Sequence, residues 1–339
     1  MISPTPAIQR NSKSAPAAPA ITNQGPAAIE IRGLSKRYAG GDAKPALNNL
    51  ELQVYQGEIF GYLGPNGAGK TTTIRLLLDI IRPTSGSARI LGLDTQADAI
   101  ALHGKIGYLP GELNLWGGQT GAQVVRYLGK VHGGVDQKYV RDLCERLSLD
   151  LSKYVRAYST GNRRKLGLVL ALMHHPEVLI LDEPTNGLDP LIQKTFHEIM
   201  LEQKAAGRTV FLSSHILSEV QAICERVGIL RDGELKAVER VADLTRVNFN
   251  HVTITFNAPV SLGTLAGIPG VSDVSADGMS LQFKLSGDLD PVLRALNDRY
   301  IVRIHAADPT LEEIFLTYYG NSSPVHETAQ PNASKKASV

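Results

Sequence analysis

The stretch Ile59-Phe-Gly-Tyr-Leu-Gly-Pro-Asn-Gly-Ala-Gly-Lys-Thr-Thr72 decides the fold. Its first five residues, I-F-G-Y-L (Ile59–Leu63), form a short apolar run of the kind buried on both faces in a parallel sheet. The next eight, G-P-N-G-A-G-K-T (Gly64–Thr71), satisfy G-x-x-x-x-G-K-[ST], and T-T-I-R-L-L-L-D-I then carries a helical pattern. A strand, a glycine-rich turn and a helix are the setting in which that motif binds phosphate. Gly64, Gly67 and Gly69, with Pro65, Asn66 and Ala68 between them, let backbone N–H groups converge on a β-phosphate beside the positive end of the helix. Lys70 is placed to reach the β- and γ-phosphates, and Thr71 to put its hydroxyl on Mg²⁺. A glycine-rich turn that matches by chance is the competing reading, and the flanking strand and helix weigh against it.

Working outward, two more apolar runs end in polar side chains. V-L-I-L-D-E (Val178–Glu183) reads as a buried strand closing on two carboxylates, at the edge where an α/β sheet binds its ligands. Asp182 is placed to hold Mg²⁺, directly or through water, and Glu183 to orient and deprotonate an attacking water. Phosphoryl transfer is mostly positioning and charge neutralisation, so the adjacent pair makes chemical sense; an acidic pair at a helix start is the plainer reading. T-V-F-L-S-S-H brings His215 to the same edge, where it can hydrogen-bond a γ-phosphate and keep water and Glu183 in register, although a lone histidine is more often structural. Tyr38, in S-K-R-Y-A-G-G, reads as core or as a ring stacked on adenine. His174 and His175 precede Pro176 at a helix end, where cap or surface roles suffice. Y-S-T-G-N-R-R-K (Tyr158–Lys165) precedes an apolar run and reads as a helix cap, a basic patch or a phosphate-binding turn.

The strands I-E-I-R, L-E-L-Q-V-Y and A-R-I-L, the buried apolar runs and the helices between them make an α/β domain, set at 28–245. The part from about 112 to 160 carries no clear buried strand and reads as an inserted helical region. From 246 to 320 the pattern becomes β-α-β-β-α-β, ending in P-T-L-E-E-I-F-L-T-Y-Y, a small ferredoxin-like α+β domain with no catalytic cluster, expected to regulate or assemble. Residues 1–27 and 321–339, rich in Ala, Pro, Ser and Asn, are expected to be disordered tails.

Bulk numbers exclude some classes. The chain has 339 residues, room for one large domain or two ordinary ones. Lys plus Arg is 35 against 33 Asp plus Glu, so bulk charge gives no reason to expect a nucleic-acid partner. Cys144 and Cys224 fit neither a metal-ligand spacing nor a disulfide framework, which makes a reducing compartment the default and small core residues their expected role. No apolar run approaches the ~18 residues of a membrane span, and the N-terminus lacks the apolar centre of a secretory signal. A soluble chain is expected, with any membrane role arising through a partner.

The order of P-loop, Y-S-T-G-N, L-D-E-P-T-N-G-L-D and S-S-H resembles the ATP-binding subunits of ABC transporters, over about Ile29 to Ala237. The resemblance implies a P-loop NTPase with a RecA-like core, an antiparallel β subdomain and a helical subdomain, using ATP and Mg²⁺. It implies that Tyr38 stacks on adenine, that Gly64 to Thr72 form the Walker A loop, and that Asp182 and Glu183 are the Walker B aspartate and catalytic glutamate. Asn186 to Asp189 then form the D-loop that crosses between subunits, and His215 is the switch histidine. Tyr158 to Asn162 occupies the place of the L-S-G-G-Q signature, matched only by Ser159 and Gly161. Their hydroxyl and helix-start amides would bind the γ-phosphate of ATP held by another subunit. Arg163, Arg164 and Lys165 become first-turn residues near phosphate or surface.

Many members carry a glutamine after the proline of I-G-Y-L-P-G-E-L; here Gly111 stands there, followed by Glu112, and either Glu112 takes over the Mg²⁺ contact or that contact is lost. The C-terminal segment is similar to that of ABC-2 type exporter subunits, including those conferring antibiotic resistance. L-N-L-W-G-G exposes Leu115 and Trp116 where the family docks its membrane subunit, unless they pack internally. The resemblance thus implies an ATPase energising export through a separate membrane-spanning permease, working as a homodimer around two ATPs. Its place would be cytoplasmic, peripheral on the inner face of the membrane. A soluble ATPase acting on ribosomes or nucleic acid is the competing class, usually with two ATPase halves or coiled-coil insertions; this chain has one P-loop and no heptad segment. A nucleotide-binding regulator without turnover is disfavoured by Glu183 and His215.

Overall fold

The computed structural model describes residues 25–40, 44–244, 249–265 and 267–307. The tails expected at 1–27 and 321–339 lie almost wholly outside these, as does the final helix expected in P-T-L-E-E-I-F-L-T-Y-Y.

The alternating segments at the start pair first. β1 (Ala27–Lys36) and β2 (Leu47–Tyr55) run antiparallel, and β4 (Ser85–Ile90) and β5 (Leu93–Asp94) complete a sheet of order β2-β1-β4-β5. In β2 alternate residues Leu50, Leu52 and Val54 are buried and Glu51 and Gln53 exposed, the period-2 signature of a half-buried strand. The uninterrupted apolar runs become the centre of a second sheet. β3 (Ile59–Leu63), β7 (Val178–Asp182) and β8 (Thr209–Ser214) are buried at every position. With β6 (Ile106–Leu109), β9 (Arg226–Arg231) and β10 (Glu234–Arg240) they form the order β10-β9-β3-β8-β7-β6, parallel except for the β9–β10 hairpin. β6, β9 and β10 are not among the strands expected from the sequence.

Helices cover this sheet: α1 (Lys70–Leu77), α2 (Ala99–His103), α5 (Thr160–Leu172), α6 (Pro190–Ala205), α7 (Leu217–Ile223) and α8 (Val241–Leu244). Between β6 and α5 the chain is helical, with α3 (Gly121–Val131) and α4 (Gln137–Arg146) and a short 3₁₀ turn at Val155–Ala157. α3 starts at a capping box: Thr120 Oγ1 accepts from Gln123 N and the Gln123 amide oxygen accepts from Thr120 N.

Two buried clusters meet at the sheet. On one face Phe60 stacks on Phe211 at 5.9 Å, directly opposite in the β3–β8 register, and Tyr62 tilts against the same ring at 5.2 Å. The Tyr62 hydroxyl meets Thr73 Oγ1 at 3.1 Å, tying β3 to α1, and complete burial pushes its phenol pKa well up. The other cluster joins α5, α6 and α7 to the opposite face and takes in Cys144 and Cys224, both free and buried.

A third sheet comprises β11 (Asn250–Phe256), β12 (Val271–Asp277), β13 (Ser280–Leu285) and β14 (Ile301–Ala307), all antiparallel in the order β12-β13-β11-β14. A 3₁₀ turn at Leu262–Leu265 comes after the first strand, where a short helix is expected, and α9 (Asp290–Ala295) precedes the last. Val252, Ile254, Phe256, Leu281 and Phe283 build its own buried cluster.

His174, at the end of α5, donates from Nε2 to the Ile106 carbonyl at 3.1 Å and stacks on His132 at 3.9 Å between ring centres. Burial, with a smaller repulsion from His132, lowers its pKa from 6.5 to about 4. The unfolded chain therefore takes up a proton that the native one refuses, so the stability is complete above pH 6.5 and is lost as pH falls towards 4. Chemical denaturation between these pH values should show a falling midpoint, and His174→Gln should flatten the fall.

Candidate functional site

The loop Gly64–Gly69 leaves β3 and runs into α1 at the carboxyl ends of β3, β7 and β8, where a doubly wound sheet opens its ligand crevice. Two glycines are dictated by space. A Cβ at Gly64 would lie 2.4 Å from the Leu230 carbonyl oxygen. Gly69, at φ +111°, would place one 2.8 Å from the Ala46 carbonyl oxygen. Pro65, Asn66 and Gly67 are exposed along the rim and Ala68 is buried beneath it.

Lys70 opens α1 yet is only 6% exposed, and its Nζ donates to the Gly64 carbonyl at 2.6 Å and the Pro65 carbonyl at 3.3 Å. The same ammonium lies 3.2 Å from Glu183 Oε1. The other carboxylate oxygen, Oε2, meets His215 Nδ1 at 2.6 Å. Glu183 thus stands between a lysine from the glycine loop and a histidine from the end of β8.

Asp182, 1% exposed, is held by hydroxyls: Thr71 Oγ1 donates to Oδ2 at 2.9 Å and Ser213 Oγ to Oδ1 at 2.5 Å. Ser213 also accepts the Glu183 backbone N–H, through Oγ at 3.1 Å and through its carbonyl at 3.2 Å. Glu183 sits at φ 52°, a left-handed conformation uncommon for a residue with a side chain, and these bonds hold it. Glu183 is therefore no helix-start acid; the next helix, α6, is capped by Asp189, whose Oδ1 accepts from Ile192 N at 3.1 Å.

Arg164 was not expected here. As one of the basic residues after Ser159 it reads as near phosphate or surface, but it is 5% exposed, and Lys165 is 9% exposed. Helical periodicity turns both inward while Arg163 stays exposed. The Arg164 guanidinium donates to the carbonyls of Pro110, Gly111, Asp182 and Glu183. Glu219 on α7 is a second unexpected member: it accepts from Ser214 Oγ at 2.7 Å and from Thr185 Oγ1, fastening the segment after Glu183 to the one before His215. The polar S-S before His215 foreshadows Ser213 and Ser214; nothing local foreshadows Glu219.

The remaining candidates are spread around this centre. Tyr38 is 45% exposed, its hydroxyl 3.5 Å from Thr72 Oγ1 and its ring under Lys36 Nζ at 5.3 Å, so it flanks α1 and is not core. Ser159 caps α5, Oγ accepting from Asn162 N at 3.2 Å, and is exposed. A Cβ at Gly161 would come 2.8 Å from the Gly187 carbonyl, so the turn packs tightly on the 186–189 segment. Glu112 is exposed, and the hydroxyls on Asp182 come from Thr71 and Ser213. The backbone of Gly111 approaches instead: a Cβ there would lie 3.1 Å from Asp182 Oδ2.

The chain is similar to known proteins. A family model described as ABC transporter matches residues 47–186. The bacitracin transport ATP-binding protein BcrA of Enterococcus faecalis is 31% identical over 306 residues, spanning 86% of this chain and 96% of its own length. The chain belongs to the ABC transporter ATP-binding proteins. An uncharacterized ABC transporter ATP-binding protein of a Nostoc species is 40% identical over 63% of the chain and 67% of its own length. Among solved structures, the ATP-binding subunit of an ABC transporter superposes with a TM-score of 0.59 at 31% identity, covering 64% of this chain and 92% of that one. A dimeric ATP-binding cassette in a post-hydrolysis state, bound to ADP and Pi, has a TM-score of 0.56 at 23% identity over 63% of this chain and 98% of its own, and shares the fold. The chain is thus an ABC ATPase.

In this ABC ATPase, Ser213→Ala removes a hydroxyl donor to a buried carboxylate, worth about 1.5–3 kcal/mol for a charged acceptor. Steady-state ATP hydrolysis should fall roughly tenfold or more on that scale, with Ser213→Thr restoring most of it; an unchanged rate in Ser213→Ala would separate Ser213 from the site.

Proposed function

We propose that this chain energises export through a separate membrane-spanning partner, hydrolysing ATP with Mg²⁺ as a sandwich homodimer on the inner face of the membrane. The observation that carries the reading is the Glu183 carboxylate, bracketed by Lys70 Nζ at 3.2 Å and His215 Nδ1 at 2.6 Å. A carboxylate in that position can take a proton from water attacking the γ-phosphate, with His215 keeping it oriented and Lys70 drawn onto the phosphate when ATP enters. Phosphoryl transfer asks for little more than position and charge.

The donors fit Mg²⁺, a hard cation that takes oxygen ligands and keeps several waters. Thr71 Oγ1 and the Asp182 carboxylate, 2.9 Å apart, would hold it. Bound there, Mg²⁺ would neutralise phosphate charge.

The dimer is supported by Ser159, an exposed hydroxyl at a helix start whose hydrogen bond is the cap alone, beside Gly161 and the exposed 186–187 turn. Such a terminus suits an anion brought by a second copy. The membrane partner is supported by an apolar groove of about 450 Å³ lined by Ile80, Tyr108, Leu113, Leu115, Leu128 and Val131. Beside it Trp116 is 53% exposed and packs edge-on against Tyr127 at 5.3 Å. No helix among the described residues is long and apolar enough to cross a membrane. Export as the direction rests on similarity to a bacitracin transport protein and on the third sheet, proposed as a regulatory or assembly domain at 246–320.

Glu183→Gln should bind ATP, stop turnover and accumulate an ATP-bound dimer in size-exclusion chromatography; a monomer at saturating ATP would overturn the sandwich. Ser159→Arg should keep ATP binding and lose cooperative hydrolysis, and unchanged turnover would reduce Ser159 to a cap.

A further inference from the structure

Arg164 is the most heavily engaged buried cation of the described residues, and hydrolysis at Glu183 gives it no direct task. One terminal nitrogen, Nη1, donates to Pro110 O at 2.5 Å and Gly111 O at 3.1 Å; the other, Nη2, donates to Asp182 O at 2.7 Å and to Glu183 O. Nε is buried without a partner, so the whole engagement goes through the fork. Burial lowers the pKa of the group, against the pull of Asp182 and Glu183, but a guanidinium stays charged.

Three segments meet at this fork. The first is α5, whose cap Ser159 lies five positions earlier on the same rigid helix. The second is the turn at 110–111, which opens the loop carrying Leu113, Leu115 and Trp116. The third is the peptide joining the two carboxylates, including Glu183 in its left-handed conformation. At Gly111 there is no side chain to reach across to the metal carboxylate, and the space where a Cβ would sit is closed to 3.1 Å by Asp182 Oδ2. The backbone of that turn is nonetheless wired to the carboxylates by Arg164.

We propose that Arg164 is a positioning residue that couples the 110–116 loop to Asp182 and Glu183 through backbone carbonyls, so that loop displacement reaches the catalytic carboxylates through the guanidinium and not through a side chain at position 111. A planar fork carries its donors on two terminal nitrogens in fixed directions and so sets two segments relative to one another. An ammonium is a point charge with rotatable donors on a flexible stem and imposes no such relative geometry. The coupling is reciprocal: ATP and cation arriving at Asp182 and Glu183 shift the loop by the same linkage.

The chain supplies its own reporter, since Trp116 is its single tryptophan and sits on that loop. Tryptophan fluorescence titrated with Mg-ATP should change on binding in the full chain. In Arg164→Lys, ATP affinity measured by calorimetry should stay within about threefold, the Trp116 response should be lost, and kcat should drop roughly tenfold or more with KM little changed, the pattern of a lost transition-state interaction. Arg164→Gln, which keeps donors but no fork, serves as the second variant, and melting curves monitor folding of both. A Trp116 response that survives in a folded variant overturns the coupling, whatever happens to kcat. A fold lost in both variants assigns Arg164 to packing and overturns it as well.

Discussion

A carboxylate that is 1% exposed has to find fixed donors, and the Asp182 side chain finds them on two different elements. Thr71 comes from the first turn of α1, which the glycine loop joins to the end of β3, and Ser213 from the end of β8, while Asp182 itself closes β7. Those three strands are adjacent and parallel, so their carboxyl ends arrive together only when the sheet is in register. Everything used for chemistry hangs on that junction. Glu183 is the next residue, its N–H held by Ser213; Lys70 precedes Thr71; His215 follows Ser214. A buried charged group without its donors costs several kcal/mol, so register and site are specified by one requirement.

Much of this is legible in residue order alone. Continuous apolar runs at Ile59–Leu63 and Thr209–Ser214 coincide with the buried strands at both ends, because a strand covered on both faces has no reason to alternate. The glycine loop is legible because phosphate binding demands backbone approach, a demand written in residue type. β6 escapes because I-G-Y-L is short and its glycine is required by the Ala171 carbonyl, which would stand 2.1 Å from a Cβ at Gly107. The β9–β10 hairpin escapes although Asp232–Gly233, both at positive φ, carries a two-residue turn signal.

The site is legible where residue type implies chemistry and illegible where only packing decides. Arg164 reads as a surface cation because basic residues usually are; its inward direction depends on which face of α5 meets β6, a tertiary fact. Glu219 is likewise an ordinary helix acid until Thr185 and Ser214 converge on it. Tyr38, which reads from sequence as core or as a ring stacked on adenine, is left half exposed beside Thr72, so packing removes the first of these readings.

The closed space around the glycine loop has a thermodynamic consequence. The Leu230 carbonyl backs Gly64, the Ala46 carbonyl backs Gly69, and Gly64 N–H is already bonded to the Ser214 carbonyl at 3.3 Å. The two ends of the loop are walled, by the β9 strand at Gly64 and by β9 and the segment before β2 at Gly69, while Pro65, Asn66 and Gly67 between them stay open to solvent. Ordering of a binding loop usually subtracts from affinity. At these two ends that conformational entropy is surrendered during folding, so any ligand of the loop has only its exposed middle left to order.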